Sequence, residues 1–226
     1  MVTLSSDLTG LLLLADPRLP VGSHTQSAGW EPAVLTGCTA ADVPDFLALR
    51  LRTIAAVDLG VALSAYAALD PAVGELDVVH AHWAARTPSH VQRRAAEVSG
   101  AGMLRLLRRL FPGHPATAQV AALPSAPRPI TYAALGVALD LAPREVGTAL
   151  LHDEVQSVTS AALKLLPLDP VDAVAWALGA RPIVREVLAA GLECWTRPDG
   201  IPARSAPLAE TWAHNHDRST RRLFRA

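Results

Sequence analysis

The sequence predicts an all-α fold, a single-domain helical bundle of roughly eight to ten helices spanning residues 1–226. Three observations carry this. Apolar residues recur at helical spacing over long stretches, as in Leu151, Val155, Val158, Ala162 and Leu166, and no convincing run of period-two alternation appears. Asp-Pro, Leu-Pro and Pro-Gly steps cut these stretches into helix-length pieces. The hydrophobic fraction is 50% while aromatics supply only 4%, so Leu, Val and Ala must fill the core, and small side chains suit close helix–helix approach.

Taken in order, Ser5, Ser6 or Asp7 can cap a first helix over Leu8–Ala15, which Asp16-Pro17 and Leu19-Pro20 stop. A polar, backbone-permissive stretch follows, Arg18 to Val34, reading RLPVGSHTQSAGWEPAV. Within it a second helix is expected from Ser27 to Leu35, closed by Gly37. Thr39 and Asp42 resemble a capping box, with Asp in place of Glu or Gln, ahead of a helical run to Leu69 that should bend near Pro44 or Asp58. Asp70-Pro71 makes the next break, and Leu76–Arg86 the next helix. Ser89 and Gln92 form a capping-box pair for a helix to Phe111, ended by Pro112-Gly113. Residues 112–130 hold five prolines and are expected to be a surface loop within one domain, because composition does not shift across them. Pro143 suits the first position of another helix, and Asp169-Pro170 opens the next, which Gly179 and Pro182 should kink or split. TRPDGIPARSAP reads as a loop, and residues 207–226 as a short helix with a basic tail.

Composition excludes several function classes. The net charge of −1 gives no basic excess for nucleic acid. The apolar run Leu11–Ala15 is too short to span a bilayer, and no positive charge precedes it as in a signal peptide. Cys38 and Cys194 lie far apart and form no metal-spaced pair, which suits a reducing cytoplasm. A mean hydropathy of +0.25 is high for a soluble monomer and points to apolar surface kept for a partner.

The search for chemistry is mainly negative. A phosphate-binding P-loop needs Gly-Lys-Ser/Thr, and the single lysine, Lys164, sits in ALKLL without glycines. G-x-S-x-G, H-E-x-x-H and C-x-x-C are absent from the sequence. No catalytic, cofactor-binding or metal-ligating residue is therefore expected. His80/His82 and His214/His216 lie two apart, and on a helix such residues point to opposite sides, so neither pair should chelate one ion. Asp153 and Glu154 are adjacent and read as a solvated helix side. Arg93, Arg94, Arg105, Arg108 and Arg109 decorate one helix, either as a solvated face or as a docking face for an acidic partner. The five tryptophans are expected to be core.

The polar stretch between apolar helices is different. Pro20, Gly22 and Gly29 permit a tight path, and Ser23, His24, Thr25, Gln26 and Ser27 offer donors and acceptors, with no carboxylate before Glu31. It serves either as a helix-capping connection or as a recognition site. At the other end, Leu223 and Phe224 are apolar anchors flanked by Arg221, Arg222 and Arg225, able either to dock on a partner or to fold back on the chain's own helices.

These same residues carry a resemblance. LLLLADPRLPVGSHTQSAGWEPAV resembles the early segment of the UreF family of urease accessory proteins: a Leu-rich helix, Asp/Ser, Leu-Pro-x-Gly, then Ser-x-Gly-x-Glu. Here those fall on Leu11–Leu14, Asp16, Leu19-Pro20, Gly22, Ser27, Gly29 and Glu31. VTSAALKLLPLDP is similar to the family's Ser-Ala-Ala-x-Arg-Leu block, with Lys164 for Arg, and PLAETWAHNHDRSTRRLFRA to its Pro-Leu…His-Glu…Arg-Leu-Phe ending, with Asp217 for Glu. His24 or Gln26, Trp30 and Asn215 stand where members often carry an aromatic residue, Leu and Arg respectively. The resemblance implies a non-catalytic, all-helical cytoplasmic homodimer without a cofactor. Such a protein joins the accessory protein UreD (also called UreH) and the GTPase UreG to apo-urease for nickel insertion. It places the partner-binding residues at Pro20, Gly22, Ser23, His24, Gln26, Ser27 and Glu31 of the opening loop, and at Arg222, Leu223, Phe224 and Arg225 of the tail. The alternative is an independent all-α metal-binding protein or small helical enzyme.

Overall fold

The segment Ile54–Ala68 is apolar almost all round, Asp58 excepted, and a helix of that kind has to sit inside a bundle rather than on its surface. In the computed structural model it does so as α4, the central rod of the fold. The structure describes residues 8–19, 26–194, 198–219 and 223–224. Around α4 lie α1 (Leu8–Leu14), α2 (Trp30–Leu35), α3 (Val43–Arg52), α5 (Leu76–Arg86), α6 (His90–Leu110), α7 (Pro115–Ala121), α8 (Arg128–Ala138), α9 (Pro143–Leu165), α10 (Pro170–Cys194) and α11 (Pro207–Asp217). Short 3₁₀ turns occupy Ala40–Asp42 and Pro198–Gly200, and no strand occurs among the described residues. The fold is all-α.

Helix α8 packs between α4 and α6, and α9 lies along both α10 and α4. Small residues set these distances. A Cβ added at Gly136 would stand 2.3 Å from Val146, and one at Gly147 would stand 2.8 Å from Leu188 and 2.9 Å from Leu59. One added at Gly100 of α6 would stand 1.8 Å from the Ala126 carbonyl oxygen, so α6 and the backbone entering α8 touch through a missing side chain. Tyr132 donates its hydroxyl to the Leu14 carbonyl at 3.2 Å and Tyr66 to the Leu141 carbonyl at 2.8 Å, tying helix ends that are far apart in sequence.

Several boundaries differ from the expected ones. The second helix begins at Trp30, not Ser27, because Ala28 (φ 52°) and Gly29 (φ 86°) turn the backbone left-handed first. The run to Leu69 breaks at Thr53 rather than at Pro44 or Asp58. Pro44 lies in the first turn of α3, where a missing N–H costs nothing, while the Thr53 hydroxyl donates back to the Leu49 carbonyl at 2.7 Å. The proline-rich segment 112–130 is not one open loop. His114 Nδ1 accepts from the Ala116 N–H and starts α7, and Pro115 and Pro129 each occupy a helix's first turn. Helix α10 runs unsplit through Gly179 and Pro182. Pro182 faces outward, and Ala173, Ala180, Val187 and Leu188 on the other side are buried.

Candidate functional site

Of the opening-loop residues, Pro20, Gly22, Ser23 and His24 lie outside the described residues, as do Arg222 and Arg225 of the tail. The others are brought together. Gln26 donates from Nε2 to the Ser99 hydroxyl at 2.6 Å, which fastens the loop to α6. Buried Ser27 accepts the Trp30 N–H at its carbonyl, and the left-handed Ala28-Gly29 step then swings Glu31 inward. Glu31 is buried, and among the described residues its carboxylate takes its donors from the C-terminal segment: His216 Nε2 donates at 2.8 Å, the Leu223 N–H at 2.6 Å and the Phe224 N–H at 2.9 Å. A buried carboxylate is tolerated only with such charge-assisted donors. The two ends of the chain, read as separate binding segments, are thus joined by one side chain.

Phe224 is buried within this chain, with the Lys164 ammonium 5.2 Å from its ring centroid, whereas Leu223 remains 65% exposed. Of the two tail anchors, only Leu223 is presented outward. Trp30, Phe46 and Trp212 stack behind the latch, with ring centroids 5.1 and 6.4 Å apart, and join α2, α3 and α11.

Beside the latch lies a group that local reasoning misread. Asp153 and Glu154 are not a solvated face. Arg128, the first residue of α8, reaches both with its forked guanidinium: Nη2 to Asp153 at 2.6 Å and Nη1 to Glu154 at 2.8 Å. Arg50 of α3 donates to the other Glu154 oxygen at 2.8 Å, and Asp58 of α4 stands 3.7 Å from Arg128. Adjacent helical residues do not face one another, yet a guanidinium can span them. Burial alone would raise the Glu154 carboxyl, but Arg50 and Arg128 outweigh it and hold it below the usual range. Asp58 goes the other way: burial, reinforced by the Glu154 charge, pushes it up to about 6. Burial disfavours the Arg128 cation, but the three carboxylates override that and raise its proton affinity.

The latch and the ion cluster line one cleft with about 140 Å³ of solvent space. Its walls are the 26–29 turn, α6 at Gln92 and Ser99, α11 at Glu210 and His216, and the Arg50–Asp58–Arg128–Glu154 floor. Buried Trp83 borders it with an indole N–H that has no hydrogen-bond partner among the described residues. A second, apolar groove of about 630 Å³ runs between α9 and α10, edged by Val174 and Leu178, which are exposed together with Val171. The histidines do not act as sequence neighbours. His80 meets Ser125, His82 accepts from Arg86, His216 serves Glu31, and His214 packs on His90. No cluster of three or more His, Cys, Asp or Glu side chains able to hold a metal exists among the described residues. None of the described helices is long and apolar enough to cross a membrane.

With the geometry in place, comparison with known proteins is informative. The UreF family model matches residues 38–181. The chain is 35% identical over 222 residues to the urease accessory protein UreF of Mycobacterium sp. (strain JLS), covering 96% of this chain and 98% of that protein. It is 31% identical to the urease accessory protein UreF of Mycolicibacterium vanbaalenii over 97% of this chain and 99% of the relative, and 30% identical over the same shares to that of Mycobacterium tuberculosis (strain H37Rv).

Proposed function

The chain belongs to the UreF family of urease accessory proteins, and from that premise we propose that it is a non-catalytic cytoplasmic scaffold. It joins a UreD/UreH-type protein and the GTPase UreG to apo-urease so that nickel can be inserted. The observation that supports this reading is the Glu31 latch, in which the described end of the opening loop meets His216, Leu223 and Phe224 next to the cleft. A scaffold needs a composite surface that one partner can read at once, and neither segment is long enough alone. Leu223 and the cleft rim form its described part.

The scaffold acts as a homodimer through the α9/α10 groove. Val171, Val174 and Leu178 form a ridge on the outer face of α10 next to that apolar groove. A two-fold axis seats the ridge of each copy in the groove of the other, the self-complementary arrangement a C₂ interface requires.

The test is copurification of the UreD-type protein with the full chain, alongside urease activation in cells. Glu31→Ala should release the tail and abolish both while far-UV helicity is kept. Val174→Asp with Leu178→Asp should give a monomer by light scattering. Normal activation and copurification in Glu31→Ala would remove the basis of the reading. Enzyme-like turnover by the isolated chain would favour the independent helical enzyme.

A further inference from the structure

We propose that the solvent face of α6 docks an acidic helix of a partner protein. Arg94, Val98, Ala101, Arg105 and Arg108 follow one another at alternating steps of four and three residues. That spacing puts them on one stripe along about four turns of the helix, the arrangement of a coiled-coil seam. All five are exposed, Val98 at 49%. Gln92, Ala95 and Ser99, which line the cleft, lie on another side of α6, so the inference does not depend on the scaffold reading.

A solvated helix face usually mixes both signs of charge, paired three or four residues apart. This one does not. The chain holds no Asp or Glu between Glu97 and Asp140, so the second half of α6, α7 and α8 supply no carboxylate. Glu97 itself is half-buried, and its charge acts on His80 of α5. Among the described residues Arg94 and Arg108 have no ion-pair partner. The helix dipole accounts for Arg108 and Arg109 in the last turn, but it gives no support to Arg94 near the N-terminal end. The pattern sets the chemistry of the partner: small apolar contacts opposite Val98 and Ala101 at the middle of the seam, and carboxylates opposite the arginines at both ends. A second copy of this chain does not fit. A two-fold pairing of α6 with itself, in either direction, sets arginine against arginine. Nucleic acid fits less well, since the middle of the stripe offers it no charge.

The experiment uses the full, untagged chain and a fluorescent synthetic peptide as long as α6, 21 residues. The peptide is Ala-rich and helical, with Glu at the seam positions of its outer heptads and Leu and Ala at those of the middle one. Fluorescence anisotropy in about 0.1 M salt should show saturable binding with a Kd below about 100 μM. Arg94→Glu combined with Arg108→Glu should weaken it at least about tenfold. So should Val98→Asp, which sets a carboxylate in the middle of the seam. Arg144→Glu, at an exposed position of α9, should leave it unchanged. All these residues are exposed, so the far-UV circular dichroism of each variant should match the wild type. A peptide of the same composition in scrambled order should bind at least about tenfold more weakly; equal binding reduces the face to diffuse charge and overturns the inference. It is also overturned by the absence of saturable binding, by wild-type affinity in the double charge reversal, or by a short DNA duplex binding more tightly than the peptide.

Discussion

Glu31 and Glu154 are the same residue type, each 4% exposed, yet they do different work in this protein. Glu154 is held by two guanidiniums on α3 and α8, inside the helix frame. Among the described residues Glu31 is held by one imidazole and two backbone N–H groups from the last eleven residues. The arginines cannot leave when Glu154 is lost, so two cations remain buried without their partner. The tail can leave when Glu31 is lost, and its donors then return to water. A buried carboxylate bound to the frame therefore sets global stability, and one bound to a terminus sets a local opening with its own smaller free energy.

The largest expected effect sharpens this contrast. Glu154→Ala should cost about 3–5 kcal/mol in denaturant unfolding, the usual penalty for breaking a buried ion pair from one side. A loss under about 1 kcal/mol would mean the arginines find other partners and the cluster is not part of the frame.

The second effect is pH-dependent and belongs to the cluster alone. Asp58 is raised in the folded state from 3.8 to about 6. The folded protein thus binds this proton more tightly than the unfolded chain. Its contribution to stability is full below pH 3.8 and is lost as pH rises through about 6. Asp58→Asn lacks that slope. The wild-type-minus-variant stability difference should fall by on the order of 2 kcal/mol between pH 4 and pH 7 in parallel urea titrations. A difference independent of pH would place Asp58 outside the coupled group.

The latch should respond more mildly. Glu31→Ala should cost about 1–2 kcal/mol in global unfolding, because local release of the tail limits the penalty. Limited proteolysis should then cut beyond α11 far faster than in the wild type. His216→Ala should loosen the tail in the same direction, because it removes one of the donors to Glu31. Smallest of all, Ala28→Gly should stabilise by about 1 kcal/mol, since a left-handed φ of 52° strains alanine and suits glycine. It should leave tail protection unchanged; altered protection would tie the strain to the latch.

What the sequence disclosed follows the same division between local and long-range causes. Helix α5 was legible to the residue, and Ser89 does cap α6 by accepting the Gln92 N–H at 3.4 Å, because caps and apolar periodicity act within a few residues. Helix α7 was hidden because a proline at a helix's first turn looks the same as a proline that breaks one. The Arg128 cluster was hidden because its members come from α3, α4, α8 and α9, and no spacing within any one of them marks it. The two histidine motifs misdirect in the same way: His80, His214 and His216 each contact a residue on another element, and His82 accepts from Arg86 of its own helix. Glu31 and Phe224 were singled out as binding residues, but that they meet each other, 193 positions apart, required the fold.

The most direct measurement is the affinity of the full chain for the UreD-type partner, compared between Glu31→Ala and Glu154→Gln at equal folded fraction. The latch account predicts at least a tenfold weaker Kd for Glu31→Ala with helicity retained, about 1.4 kcal/mol or more, and near-wild-type affinity for folded Glu154→Gln. Wild-type affinity in Glu31→Ala, with the tail shown by proteolysis to be released, would contradict it.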